Sequence, residues 1–328
     1  MRSSFLAVVV AVLSSCARLQ QTVPAAPAPP YGASVPPSGG ESGDLLYVSA
    51  GCGLPPESGI CIFAFPTGKY VGWIEHYAAS DPVALCSDSA GNVYVTSILA
   101  SGYEAAVLKY GHAGNGPMEI LKDGQYSPNG CAVDPISGTL AVANMASGAT
   151  PGNVALYANA RGRPRYHKVD GIFSYYFCGY DHKGNLFVSG ATKNGSVAIA
   201  ELPKGKTAFV KISLNKPLYE AGPIQWDGIH LAFGYGDTKR AVIYRADVSG
   251  LKAKVVATTR LFAPKAPHAN IGPFWIENKR IIATFKTPNR YPVAFWRYPD
   301  GGTPTRIIRH GRHVSEQGSV TVSVMPSR

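Results

Sequence analysis

One recurring stretch constrains the fold of this chain more than any other feature of it. Residues 127–144, SPNGCAVDPISGTLAVAN, read as a short strand, a polar turn and a second strand. Close copies stand at 81–97 (DPVALCSDSAGNVYVTS) and 174–190 (SYYFCGYDHKGNLFVSG), and degenerate ones at 220–234 (EAGPIQWDGIHLAFG) and 270–285 (NIGPFWIENKRIIATF). Aligned on the acidic residue of the turn, they place Asp88, Asp134, Asp181, Asp227 and Glu277 in one register, with spacings of 46, 47, 46 and 50. After Asp44 no long segment has helical spacing. Short Val/Ile/Tyr/Phe runs alternate with Gly, Pro, Asn and Asp, which is the pattern of an all-β chain. A self-similar period of this length suits one four-stranded propeller blade.

The ends of the repeat array decide how the units assemble. Leu45–Ser49 (LLYVS) matches the second strand of the repeat, so its inner strand is missing. Residues 317–323 (QGSVTVS) match an inner strand with no successor. The simplest arrangement is an all-β, six-bladed β-propeller over residues 44–328, its ring closed by the C-terminal strand joining the N-terminal blade. Closure removes the exposed sheet edges that an open array would leave.

The segment before the repeats reads as targeting sequence. Met1-Arg2 is a short basic lead, Phe5–Leu13 (FLAVVVAVL) is an apolar run, and Leu13-Ser14-Ser15-Cys16 follows directly. The apolar run is too short for a membrane-spanning helix and has the length of a signal-peptide core. The box resembles a bacterial lipobox, which implies a signal peptide at 1–15 and lipidation of Cys16. Residues 16–43, rich in Pro, Ala, Gly and Ser, cannot bury enough apolar surface to offset chain ordering and read as a disordered tether. The expected location is the envelope of a bacterium, lipid-anchored and facing the periplasm or the cell surface.

Lys plus Arg number 31 against 20 Asp plus Glu, a formal charge of +11. The basic residues are scattered rather than gathered on one segment, which argues against a nucleic-acid partner. Lys204-Gly205-Lys206 and Arg306–Arg312 are local basic patches and read as solvated edges. A monomer is expected. Cys52 and Cys61 flank the first loop between strands and are expected to form a disulfide, which suits an oxidising compartment. Cys86, Cys131 and Cys178 fall on inner strands and read as free, buried, small apolar residues.

The loops leading into the inner strands should converge on one mouth of the central channel. Seven positions before the acidic turn, or at the equivalent place, stand Asp81, Ser127, Ser174, Glu220, Asn270 and Glu316, with Asn129, Tyr175, His268 and Gln317 nearby. Such an oxygen-rich set suits a cation, a sugar, a small molecule or a polar protein segment, and Ca²⁺ or Mg²⁺ among cations. Polar residues at these places also satisfy backbone groups where strands emerge into water. No G-x-S-x-G, H-E-x-x-H, P-loop or paired C-x-x-C motif is present, so no catalytic residue is assigned.

The D-x-x-G-N-x-Y/F-V pattern at Asp88–Val95 and Asp181–Val188 resembles the NHL/gluconolactonase-like group of six-bladed propellers. Residues 175–188 (YYFCGYDHKGNLFV) and 201–206 (ELPKGK) are similar to stretches of uncharacterised bacterial propeller lipoproteins. The first resemblance implies a divalent metal at the mouth supporting hydrolysis. The family's amino-terminal Glu-Gly-Pro setting for a metal-ligand Glu has no counterpart, since Asp44 leads directly into a strand. The expected function is therefore a membrane-anchored binding or interaction scaffold without a certain cofactor. The alternative is a metal-dependent lactonase-like hydrolase or lyase using the same mouth.

Overall fold

The computed structural model describes residues 43–49, 59–75, 79–99, 104–124, 126–237, 240–263, 271–287, 291–308 and 318–325. The expected signal peptide, Cys16 and the tether lie outside the described residues.

Apart from one 3-10 turn at Ala158–Ala160, the regular structure among the described residues is all strand. In chain order the strands are β1 (Leu45–Val48), β2 (Gly59–Ala64), β3 (Lys69–Glu75), β4 (Ala79–Ser87), β5 (Val93–Leu99), β6 (Ala105–Tyr110), β7 (Glu119–Lys122) and β8 (Ser127–Val133). They continue as β9 (Leu140–Met145), β10 (Asn153–Tyr157), β11 (Arg165–His167), β12 (Ser174–Tyr180), β13 (Leu186–Ala191), β14 (Val197–Leu202), β15 (Val210–Leu214) and β16 (Ile224–Trp226). The last eight are β17 (Leu231–Asp237), β18 (Arg240–Ser249), β19 (Lys252–Leu261), β20 (Ile271–Glu277), β21 (Arg280–Phe285), β22 (Val293–Arg297), β23 (Gly301–Ile308) and β24 (Val320–Ser323).

Antiparallel meanders of four strands account for the pairing: β4 to β7, β8 to β11, β12 to β15, β16 to β19 and β20 to β23. In the remaining sheet, β1, β2 and β3 pair in order and β24 adds to the free side of β1, with Tyr47 opposite Thr321 and Val48 opposite Val320. The last three meanders also touch at their outer edges through short parallel pairings. Ser213 and Leu214 of β15 meet Lys252 and Ala253 of β19, and Arg260 and Leu261 of β19 meet Gly301 and Gly302 of β23.

The repeated acidic residue explains the hairpins. Asp88 Oδ1 accepts from the amides of Ala90 (3.0 Å) and Asn92 (2.9 Å), while its Oδ2 accepts from Asn92 Nδ2 and the Tyr94 hydroxyl. Asp181 repeats this with Lys183 and Asn185 (2.8 and 2.9 Å). The glycine of D-x-x-G-N stands at φ +78° in Gly91 and +81° in Gly184, a left-handed conformation that disfavours a side chain. In the degenerate copy at Glu277 the turn shortens to two residues, and both Asn278 (φ 47°) and Lys279 (φ 58°) are left-handed. Tight hairpin turns demand this of their central pair.

Apolar clusters join consecutive sheets face to face. Tyr47, Ile60 and Ile74 pack with Leu85, Val95 and Leu108, and Phe187, Ile199 and Ile212 pack with Leu231, Phe233 and Val255. One cluster couples the last meander to the first sheet: Ile282, Val293 and Phe295 pack with Leu46, Phe63 and Val322. Each fully buried Leu, Ile, Val or Phe contributes about 1.5–3 kcal/mol, so these seams carry most of the packing energy.

The cysteine reading needs one correction. Cys86 and Cys131 are not free: they form a disulfide that bridges β4 and β8, with Cα atoms 5.7 Å apart. The first strands of neighbouring meanders approach closely enough here for a covalent link, which the reading of each cysteine as an isolated apolar residue left out. Cys178 is free and buried, as expected, and burial pushes its thiol up to about 12. Cys61 is disulfide-bonded; Cys52 lies outside the described residues.

Candidate functional site

The first strands of the meanders run side by side without a continuous backbone ladder, so side chains complete their hydrogen bonding. Asn129 Nδ2 donates to the Tyr176 carbonyl at 2.7 Å, linking β8 to β12. Gln225 clamps β20: its Nε2 donates to the Ile276 carbonyl at 2.9 Å and its Oε1 accepts from the Ile276 amide at 2.7 Å. Ser87 donates to the Val322 carbonyl at 2.7 Å, and the Leu85 amide donates to Ser319 Oγ at 3.1 Å. Gly130 permits the close approach, since a Cβ there would lie 2.6 Å from the Tyr176 carbonyl oxygen.

Between these strands lies a cavity of about 120 Å³ that is lined by residues of β4, β8, β12, β16, β20 and β24. Leu85, Phe177, Ile224, Phe274 and Trp275 supply much of its wall, and the Cys86–Cys131 disulfide lies on it. A second cavity of about 150 Å³ shares Phe177, Pro223, Pro273 and Phe274 with the first and reaches Glu220.

The predicted mouth residues fare differently. Ser127 and Ser174 stand at the starts of β8 and β12, and Glu220 is exposed at the rim of the second cavity. Ser174 is buried, and its Oγ accepts from the Ala146 amide at 3.1 Å. Asn129 is half-buried and committed to Tyr176, as described above. Tyr175 requires correction: it is fully buried in the seam between the β8–β11 and β12–β15 meanders, where its hydroxyl accepts from the Val169 amide at 2.6 Å. Asp81 lies on β4, and its side chain is outside the described residues, as are His268, Asn270, Glu316 and Gln317. Among the described residues no three His, Cys, Asp or Glu side chains gather as a metal-binding group.

A register shift accounts for the Tyr175 result. Pairing slips between Pro82 and Ala84, between Pro128 and Gly130, between Tyr175 and Phe177, and between Ile271 and Phe274. Each slip falls at the same distance from the acidic turn. A bulge of this kind interrupts the strict alternation of faces, so Tyr175 enters the core while Phe177 lines the cavity. Phe177, Phe274 and Trp275 were therefore missed as lining residues. Their only signal in the sequence is an aromatic two to four positions before the turn.

Sheets of short antiparallel strands, coupled by apolar seams and enclosing a shared cavity, define a β-propeller-like fold. Solved structures agree. A chain of a nidogen/laminin complex, a β-propeller, aligns at 14% identity with a TM-score of 0.62, covering 87% of this chain and 100% of that one. A protein of unknown function from Bacteroides caccae aligns at 10% identity with a TM-score of 0.56, covering 86% of this chain and 99% of that one. No family model matches the chain, and no curated protein matches it. At these identities the likeness concerns the fold alone.

Proposed function

We propose that the chain is a six-bladed β-propeller, closed by β24 in the first blade, that serves as a membrane-anchored binding scaffold outside the cytoplasm. The observation that carries this reading is that one cavity is lined from β4, β8, β12, β16, β20 and β24 together. The seam joining the last meander to the first sheet supports closure. A rigid ring of this kind presents one mouth to a ligand, and the reach of the second cavity to Glu220 supports a mouth on that side. A small molecule, a glycan or a protein segment would bind across Ser127, Ser174, Glu220 and the lead-in residues Asn270 and Glu316. The Cys86–Cys131 disulfide supports an oxidising compartment, in keeping with the lipobox-like residues before Cys16.

Metal analysis of the purified chain, paired with a thermal shift on adding chelator, tests the scaffold against the lactonase-like alternative. The scaffold reading predicts sub-stoichiometric metal and an unchanged melting temperature. Stoichiometric Ca²⁺ or Mg²⁺ with destabilisation on chelation would instead support the NHL/gluconolactonase-like reading.

A further inference from the structure

The outer strands β15, β19 and β23 meet end to end through their parallel pairings and form a continuous belt. Their sequences, VKISL, KAKVVATTRL and GGTPTRII, contain no acidic residue. The outer strands β3 and β7 are mixed: β3 carries Lys69 and Glu75, β7 carries Glu119 and Lys122, and Lys122 pairs with Glu104 at 3.4 Å; the three-residue β11 also lacks an acidic residue but joins no other outer strand among the described residues. On the belt, Lys211, Lys252, Lys254, Arg260 and Arg306 are exposed. No described carboxylate lies within ion-pair distance of Lys252, Lys254 or Arg260. Asp247 of β18 stands opposite Lys254 and Asp300 precedes Gly301, so the balance over the five exposed belt cations is partly offset but stays positive; a long edge with net positive charge attracts an extended anionic surface.

The apolar side chains on the same edge narrow the choice of surface. Leu251 is 59% exposed, Val256 44% and Phe262 58%. They flank and interrupt the basic positions of β19. Single exposed apolar side chains are ordinary on a protein surface, but here three of them share one edge with the cations. Interleaved with Lys and Arg, they match the boundary between lipid headgroups and acyl chains, where cations meet phosphate and apolar groups insert. A polyanion in solution, whether glycan or nucleic acid, would use the charges and leave Leu251 and Phe262 idle.

We propose that the β15–β19–β23 belt is a docking surface for an anionic lipid bilayer, laying the side of the domain against the membrane. This surface lies apart from the first cavity, none of whose lining residues it supplies, and does not depend on Cys16. It would orient the domain on the membrane.

The test uses the full chain carrying Cys16→Ser, so that no acyl chain contributes. Sedimentation with vesicles of phosphatidylcholine and phosphatidylglycerol (3:1) is compared with pure phosphatidylcholine vesicles. The chain is expected to bind the anionic vesicles and not the neutral ones, and to release as salt is raised. Each basic residue at such a surface multiplies partitioning about fivefold, so K252E/K254E/R260E, which removes three cations and adds three anions, should lower it by at least about a hundredfold. A variant of equal charge on the turns, K183E/K204E/K206E, should bind within about threefold of the parent. Leu251→Ser with Phe262→Ser should weaken vesicle binding while leaving retention on dextran sulfate unchanged. If the belt triple fails to fold by circular dichroism, R260Q and K254Q singly provide the comparison. Equal losses from the belt and turn triples would overturn the proposal. So would vesicle binding that ignores Leu251 and Phe262, which would mark the belt as a general polyanion site.

Discussion

Removing the Cys86–Cys131 disulfide gives the sharpest stability prediction. The bridge spans 45 residues of chain, from β4 through the rest of the β4–β7 meander to β8. Opening a loop of that length returns conformational entropy to the unfolded chain worth about 4 kcal/mol. Residual structure in the unfolded state makes this an upper figure. The perturbation is Cys86→Ala with Cys131→Ala, which leaves no unpaired thiol behind. With a urea m-value of about 3 kcal/mol/M, the midpoint should fall by about 1 M. Equilibrium urea unfolding followed by tryptophan fluorescence reads this directly. Alkylation of the unreduced, denatured parent should leave Cys86 and Cys131 unmodified and label Cys178. Midpoints that agree within about 0.2 M, or labelling of both Cys86 and Cys131 without reductant, would refute the assignment.

Further outcomes follow from single side chains. Burial pushes the carboxyl of Asp123 up to about 7, against the opposing influence of Asn144, Tyr157 and Tyr166 beside it. The folded chain then holds that proton more tightly than the unfolded chain. Its contribution is best below about pH 4 and is lost as pH rises towards 7, by about 4 kcal/mol at most. Asp123→Asn should flatten this slope and stabilise the chain at pH 8, checked by urea midpoints across pH 4–8; an unchanged slope would remove Asp123 from the argument. Gln225→Ala leaves the Ile276 amide and carbonyl without their partners and should cost about 2 kcal/mol in urea unfolding. Glu220→Gln with Glu316→Gln should weaken any ligand that protects the chain in thermal shift; an undiminished shift would move the site away from the mouth. Cys16→Ser should release the chain from membranes on fractionation in low salt when belt binding is also removed, and continued attachment would contradict lipidation.

Much of the architecture was legible because the signals are local. Asp88 and Asp181 announce their hairpins through the amides they accept within four residues, and Gly91 and Gly184 supply the left-handed turn. The pairing of β1 with β24 followed from which half of the repeat each end resembled. What failed to show was anything set by a change of phase or by neighbours distant in sequence. Tyr175 was placed near the mouth because it follows the entry residue Ser174, and the bulge between Tyr175 and Phe177 that accompanies its turn into the core leaves no mark in the repeat. Cys86 and Cys131 lie two and three positions before their acidic residues, so the repeat placed them in unequal registers. Only the close approach of β4 and β8 makes them partners. The belt was illegible for the same reason: Arg260 and Gly301 come together only after the meanders have folded.

The central claim is that β24 closes the array by pairing with β1, holding the first strands of the meanders around one cavity. Amide hydrogen exchange of β1 tests it most directly, because an edge strand frays while a strand paired on both sides exchanges through global unfolding. In the full chain, amides within Leu45–Val48 should exchange as slowly as those of β9 or β13, and deleting residues 318–328 should make them fast. Rapid exchange of β1 in the intact chain, or no change on deletion, would contradict closure and with it the mouth.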